Sequence, residues 1–504
     1  MIEVTYGQLL AILPEIVLLI GGLFIVVMDA TLGEEGDSGT GFMSVSVIFL
    51  LVALVGAVFQ LGMGPRTEMP GVTVDAFGAF MKLIIIGSMV LVAIAGGVFM
   101  NKRVAGKGEF WSLFVFVTLA MSVMVSASNL LLIFVAIEFL SITSYLLVGF
   151  LRETRRSTEA GVKYFLYGSV ASSIMLYGFS FFYGASGSLD LVTIAEKLAE
   201  RPEVSTIVLP AMVMVLVGLG FKTSLVPFHQ WAPDTYDGAP TPITAYLSTA
   251  SKAAGFAVMV RIFITALSGY QIDWVPVLTG LAILTMTVGN LIALRQTNVK
   301  RMLAYSSIAQ AGYMLMGLVA TVSPSAADLT TLGMNGLNGL MIYLFAYLFT
   351  NIGAFLVVLA VEDATGSSDL SAFDGLAQRS PWLAWAMFVF LLSLTGIPLT
   401  GGFIGKFYVF GAAVQHQYFL LVGVAALNVA IAAGYYLNVV RVMFFPAVDV
   451  ENGSTSQPTA LPIALAVQFV LVICVAATLW LGIYPPNVIE WANVASQQLL
   501  SLHF

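Results

Sequence analysis

The sequence predicts an all-α integral membrane protein of about fourteen transmembrane helices, and three observations carry that prediction. Hydrophobic residues make up 59% of the 504-residue chain. Charged residues make up only 9%, against roughly a quarter in soluble globular chains. Apolar runs of the roughly 20 residues that a helix needs to cross a bilayer recur from one end to the other. A mean hydropathy of +0.97 agrees. Lipid offers no partner to an unpaired backbone group, so runs of this length are helices.

The apolar segments lie near 8–30, 42–63, 76–100, 110–127, 129–150, 161–184, 204–224, 241–266, 275–294, 302–321, 335–361, 382–413, 417–445 and 463–483. The first, in MIEVTYGQLLAILPEIVLLIGGLF, has no basic n-region and no small-residue cleavage site, so it reads as a retained span. The longest polar stretches, near 30–41, 185–203 and 362–380, are only loops, with TIAEKLAERPE at 193–203 as a short surface helix. Basic residues set the orientation. Lys102, Arg103, Lys107, Arg152, Arg155, Arg156, Arg295, Lys300 and Arg301 share one side, whereas the other carries Arg66, Lys197 and Arg201. That contrast predicts both termini outside, with topology and solubility as the role of nearly all these loop charges.

Several function classes are excluded at this stage. No basic run extends far enough to read as a nucleic-acid patch, and the net charge is −7. The one cysteine, Cys474, lies in an apolar run and reads as a small buried residue. One cysteine cannot hold an iron–sulfur cluster, and three scattered histidines, His229, His416 and His503, argue against haem or a metal cluster held by this chain alone.

Two spans are interrupted. In VGLGFKTSLVPFHQWAPDTYDGAPTP, residues 217–242, Pro227, Pro233, Pro240 and Pro242 break an apolar run. In FLLSLTGIPLTGGFIGKFYVF, residues 390–410, Gly396, Pro398, Gly401 and Gly402 do the same. Proline removes a donor and clashes with the preceding turn. Irregular backbone at membrane depth survives only where protein buries it or a watery cavity borders it. Paired breaks in the two halves of a chain point to a transport path, although prolines also simply kink packed helices.

Four charges sit inside apolar runs, where each costs at least about 2.5–3.5 kcal/mol. Glu138 is nine residues past Asn129, roughly 14 Å into its helix. Lys252 is eleven residues past Thr241, roughly 16 Å in. Lys222 precedes the first break, and Lys406 follows Pro398 of the second. Snorkelling suits Lys82, near the start of its span, but not these three lysines. A desolvated lysine holds its proton less tightly, and a nearby carboxylate restores the charged form. Glu138 and Lys222 therefore read as a position-driven proton switch, with Lys252 and Lys406 passing the proton on. A structural ion pair is the competing reading of Glu138. His229, beside the first break, either bridges two lysines or is a satisfied polar residue at a helix end. Tyr246, Ser248, Thr249 and Ser251 around Lys252 either hold water or bond neighbouring helices.

At these residues, GFKTSLVPFHQWAPDTYDGAPTPITAYLSTASKAAGFAVMVRIF resembles the proton-translocating, antiporter-like membrane subunits of respiratory complex I. NLIALRQTNVKRMLAYSSIAQAGYMLMG, residues 290–317, is similar to the same family. DTYDGAPTP followed by STASK is closest to its subunit N branch in bacterial NADH–quinone oxidoreductase. The resemblance runs from about residue 110 to 445. It implies two inverted five-helix repeats, at 110–270 (helices 4–8) and 271–445 (helices 9–13), between an N-terminal three-helix segment at 1–109 and a last helix within 446–504. It also implies broken helices 7 and 12. By motif position it places the family's proton-transfer residues on Glu138, Lys222, Lys252, Lys406 and His229. It implies a bacterial inner membrane location, a translocase role without a redox centre in this chain, and FMN, iron–sulfur clusters and quinone in partner subunits. The implied partners are the other membrane subunits of complex I, neighbouring antiporter-like subunits among them, lipid, and indirectly the peripheral redox arm. A cation/proton antiporter subunit outside complex I, a subunit of the related photosynthetic complex, and a scaffold whose charges only pair helices remain alternatives.

Overall fold

The computed structural model describes residues 6–32, 39–64, 66–104, 106–201, 204–321, 334–445 and 460–501. Among them, thirteen helices are long and apolar enough to cross a membrane. In order they are Leu13–Leu32, Thr40–Leu61, Ala76–Arg103, Lys107–Ser126, Leu130–Val148, Arg155–Ser186, Thr206–Thr223, Thr241–Ala266, Ser268–Ala293, Val299–Val319, Gly336–Thr365, Phe419–Phe444 and Leu465–Ile483. Two shorter helices, Pro381–Thr395 and Gly401–Gln415, lie in tandem between Gly336–Thr365 and Phe419–Phe444, and together are numbered the twelfth span. Successive spans alternate in direction. One face, the near face, therefore carries the start of the first span, and the far face carries its end. Much of the polar loop 30–41, and the boundary at 446, lie outside the described residues.

Burial sorts the spans. The eighth is wholly buried and the tenth and eleventh nearly so, while the first, second, ninth, thirteenth and fourteenth bury a third or less. The charged candidate on the eighth span, Lys252, is thus enclosed by protein. Lipid gives no hydrophobic drive between helices, so close packing of small residues holds the inner spans together. Gly289 lies against the Ala309 backbone and Gly312 against that of Met286, and added methyls would come within 2.8 and 2.7 Å of those nitrogens.

Side chains satisfy the helix ends. Asp75 caps the third span by accepting from Gly78 N at 2.7 Å, and Asn298 caps the tenth by accepting from Arg301 N at 3.0 Å. The surface helix expected at 193–203 is Leu191–Ala199. Asp190 caps it, and Leu191, Ile194 and Leu198 face the protein; residues 202 and 203 lie outside the described set.

Two elements escape a hydropathy reading. A short hairpin pairs Arg66–Met69 with Val72–Val74. A helix at Pro486–Ser501 follows the fourteenth span and buries Val488, Ala492, Ala495, Ser496 and Leu499, a helical period too sparse in apolar residues to read as a span. Its Gln498 accepts from Ala76 N at 2.7 Å and its Asn493 from Asn338 Nδ2 at 2.5 Å, fastening the third and eleventh spans at the near face.

Backbone freed at both interruptions finds partners inside the protein. The seventh span stops at Thr223, with Ser224 in the left-handed region, and a separate helix runs over Trp231–Gly238. Trp231 Nε1 donates to the Phe221 carbonyl at 2.9 Å, and Val226 N donates to Thr285 Oγ1 at 3.0 Å. At the twelfth span, Gly396 takes φ 92°, and Gly402 N donates to Ser393 Oγ at 3.0 Å. Residues 224–226 of the first interruption are buried, whereas Ile397, Pro398 and Leu399 of the second are exposed on this chain.

Candidate functional site

Glu138 and Lys222 face each other without forming an ion pair. Lys222 is 1% exposed, and its Nζ donates to Ser141 Oγ at 3.0 Å. Ser141 is one turn beyond Glu138 on the same span, and Glu138 lies within Coulomb range of the ammonium. Glu138 Oε1 is buried with no hydrogen-bond partner. The lysine also lies 6.0 Å from the Tyr164 ring, which stacks on Trp231 at 4.3 Å. Hydroxyl, aromatic face and distant carboxylate therefore share the stabilisation of this charge.

Lys252 meets protein, not lipid. It is 1% exposed, and its Nζ donates to the Ser307 carbonyl at 2.7 Å and to Ser307 Oγ at 2.6 Å. The turn before it, Leu247–Ser251, is π-helical, a form that recurs at functional sites. Its hydroxyl neighbours mostly join helices. Tyr246 donates to Ser144 Oγ at 2.7 Å, Asn351 donates to Ser248 Oγ at 2.6 Å, and Thr249 bonds back to Ala245 O. Helix-to-helix bonding, one of the two readings of this group, describes those three contacts.

Lys406 closes the first half of the twelfth span. Its Nζ donates to the carbonyls of Leu394 at 2.7 Å and Thr395 at 2.9 Å, the orphan acceptors at a helix C-terminus. It also stands 4.7 Å from the Tyr313 ring centroid. Charge-assisted bonds contribute about 1.5–3 kcal/mol each, so two of them offset the roughly 2.5–3.5 kcal/mol cost of a charge at this depth.

Polar groups extend from Lys252 toward Lys406 in two hydrogen-bonded stretches, with Ser307 and Ser306 adjacent in sequence at the step between them and the Leu394 carbonyl shared at the end. Ser306, next to Lys252's partner Ser307, bonds Tyr436 Oη at 2.5 Å. Gln310 Nε2 donates to Tyr436 Oη at 3.2 Å and to the Leu394 carbonyl at 2.9 Å, the same carbonyl that holds Lys406. Tyr343 donates to Gln310 Oε1. Between Lys222 and Lys252 the connection is looser. Tyr236 Oη lies toward both Ser224 and Ser307 but closes a hydrogen bond with neither, and Ser224 Oγ is also unpartnered.

The sequence reading placed other residues less well. Lys82 does not snorkel: it is 1% exposed and paired with Glu15 at 2.7 Å, with Gln60 accepting at 3.0 Å and Ser122 donating to the same Glu15 oxygen at 2.7 Å. Depth along one span cannot reveal a carboxylate on another. His229 touches neither Lys222 nor Lys252; its Nδ1 is buried without a partner, and it stands half-buried beside exposed Pro227 and Gln230. Lys300 is not a simple loop charge, since it is 2% exposed, donates to Ala239 O at 2.8 Å, and lies 3.7 Å from Glu362. Asp75 and Arg261 form a buried bidentate pair at 2.8 and 2.9 Å; an arginine inside the apolar run AVMVRIF was the available signal. At the far face, Asp234 bonds Lys163 at 2.8 Å and Arg301 at 2.9 Å, beside a cleft of about 230 Å³ that Asp237 also lines.

A bundle with a half-buried carboxylate and three buried lysines on separate spans, two of them beside helix interruptions, fits the class of ion-translocating membrane subunits. Residues 127–432, more than half of the chain, match the NADH:quinone oxidoreductase/Mrp antiporter transmembrane family, and the chain belongs to that family. Within it, NADH-quinone oxidoreductase subunit N 2 of Solibacter usitatus is 42% identical over 84% of this chain and 83% of its own length. Subunit N of Heliobacterium modesticaldum is 40% identical over 93% of this chain and 95% of its own. Among solved structures, a chain of respiratory complex I from Thermus thermophilus with bound aureothin superposes with a TM-score of 0.78 at 29% identity, covering 96% of this chain and all of that one. A chain of the Mrp complex from Dietzia reaches a TM-score of 0.85 at 21% identity over 99% of this chain and 98% of its own, a likeness of fold.

Proposed function

We propose that this chain is the proton-translocating membrane subunit of a bacterial NADH–quinone oxidoreductase, coupling quinone reduction in partner subunits to proton movement through its own buried Glu and Lys residues. The observation that carries the reading is the enclosed series of polar groups between Lys252 and Lys406, Ser307, Ser306, Tyr436 and Gln310, which water at the Ser307–Ser306 step and at the shared Leu394 carbonyl would complete. Structural charge pairs need no such series; a proton path does.

In this account, redox energy released elsewhere shifts Glu138 relative to Lys222, which changes how tightly that lysine holds its proton. Protons reach Lys252 from the far face, by way of the cleft at Asp234 and Asp237 and the hydroxyl of Tyr236, and leave past Lys406. Spans 4–8 and 9–13, residues 110–270 and 271–445, act as inverted repeats. The far face is cytoplasmic, which sets both termini outside the inner membrane. FMN, iron–sulfur clusters and quinone belong to the partner subunits, and His229 lines the first interruption as a water-binding group.

The test is the proton-to-electron ratio of reconstituted complexes carrying Lys222→Ala or Glu138→Ala. A lower ratio with normal assembly and quinone reduction is expected. An unchanged ratio would overturn the switch.

A further inference from the structure

Glu138 shares one face of its span with a tyrosine that borders a groove on the surface of the bundle. The fifth span presents Glu138, Ser141 and Tyr145 at offsets of three and seven, a single helical face. Tyr145 Oη lies near Ser141 and within Coulomb range of Glu138 but closes no hydrogen bond. It fits against Gly168 of the sixth span, where an added methyl would come within 1.8 Å of the hydroxyl. The tyrosine ring forms part of the wall of a groove of about 460 Å³ between the fourth, fifth and sixth spans. Ser112 and Thr158 lie along this groove, and the exposed Arg152–Glu109 pair, 3.8 Å apart, stands at its far-face mouth.

We infer that this groove is a water-filled inlet to Glu138 and that Tyr145 is its gate. Ser112 and Thr158 already donate to the Glu109 and Arg152 carbonyls, but Tyr145 Oη is buried unpaired at a cost of roughly 1–3 kcal/mol, which water reaching it from the groove would relieve and an acyl chain would not. When the ring swings off Gly168, a proton carried by groove water passes to the Glu138 carboxylate: one O–H bond of hydronium breaks, one carboxyl O–H forms, and no electrons move. Ser141 accepts from Lys222, so its own proton is free to turn toward Glu138 and steady the carboxylate. The switch would then be loaded directly from the far face, separately from the cleft that serves Lys252.

This inference rests on the role of Glu138 proposed above, and its test separates the two. Cys474, the chain's one cysteine, is buried, so labelling of a Ser112→Cys chain in the intact complex reports on the groove. A charged, membrane-impermeant thiol reagent applied at the far face should modify it, and modification should lower the proton-to-electron ratio. Tyr145→Ala should lower that ratio by letting protons slip while quinone reduction continues, and Tyr145→Phe, which keeps the ring, should do so less. Labelling by an alkyl maleimide but not by the charged reagent would mean an acyl chain fills the groove, and would overturn the inlet. A wild-type ratio in assembled Tyr145→Ala would overturn the gate. If Tyr145→Ala does not assemble, the Ser112→Cys labelling alone decides. Loss of pumping in Glu138→Gln beside either negative result would leave the switch standing and remove only the inlet.

Discussion

The two halves of the polar line are built differently. From Lys252 to Lys406 each ammonium and amide closes hydrogen bonds to protein atoms at 2.5–3.2 Å. From Glu138 to Asp237, Lys222 closes a bond to Ser141 but most of its polar neighbours stay open. Glu138, Tyr145, Tyr164, Ser224, His229, Thr235, Tyr236 and Asp237 each carry a buried polar atom without a protein partner, whereas among the described residues of 271–445 only Tyr347 and Asn351 do. Buried polar groups seldom go unpaired. The open half must therefore find partners in water or by rearranging, while the closed half is held in one arrangement. A switch belongs where groups can move, and a conducting line where they are fixed.

The polar cluster in the N-terminal segment tests whether closure alone implies conduction. Lys82→Met would leave Glu15 buried without its cation, a loss of about 3–5 kcal/mol, seen as a lower melting temperature of the complex. Lys82→Met combined with Glu15→Gln should recover most of that stability with pumping unchanged. A lasting pumping defect in the double variant would extend the path into this segment.

Within the line, Lys252→Met should lower proton flux through the subunit roughly 10²-fold, the lower end of what a positioned acid–base group contributes, measured as the proton-to-electron ratio in vesicles. A normal ratio would reduce the lysines to helix pairing. Gln310→Leu leaves the Tyr343 hydroxyl without its acceptor, while Tyr436 keeps Ser306 and the Leu394 carbonyl keeps Lys406, and should cost about 1–3 kcal/mol in thermal stability as well as pumping. Glu138→Gln has the smallest expected effect on stability, within about 0.5 kcal/mol, because no ion pair is broken, yet it should abolish the switch. Equal thermal losses for Gln310→Leu and Glu138→Gln would erase the distinction between the halves.

Much of this architecture was legible in the sequence. Run lengths gave thirteen of the fourteen expected spans as single long helices among the described residues, and the burial of Lys222, Lys252 and Lys406 followed from charge inside apolar runs. Their partners were not legible. Ser307 is 55 residues from Lys252, and Tyr436 is 130 from Ser306; contacts between distant spans leave no local pattern. Lys82 was misjudged for the same reason, since Glu15 reaches it from another helix. The π-helical turn before Lys252 has no composition of its own, and the helix at Pro486–Ser501 hid because hydropathy averages away an amphipathic face.

The most direct measurement is a cryo-electron microscopy map of the whole complex sharp enough to show ordered water. The account predicts waters at Ser224 Oγ and Tyr236 Oη that join Lys222 to Ser307 and so to Lys252. Dry apolar packing across that interval would contradict it.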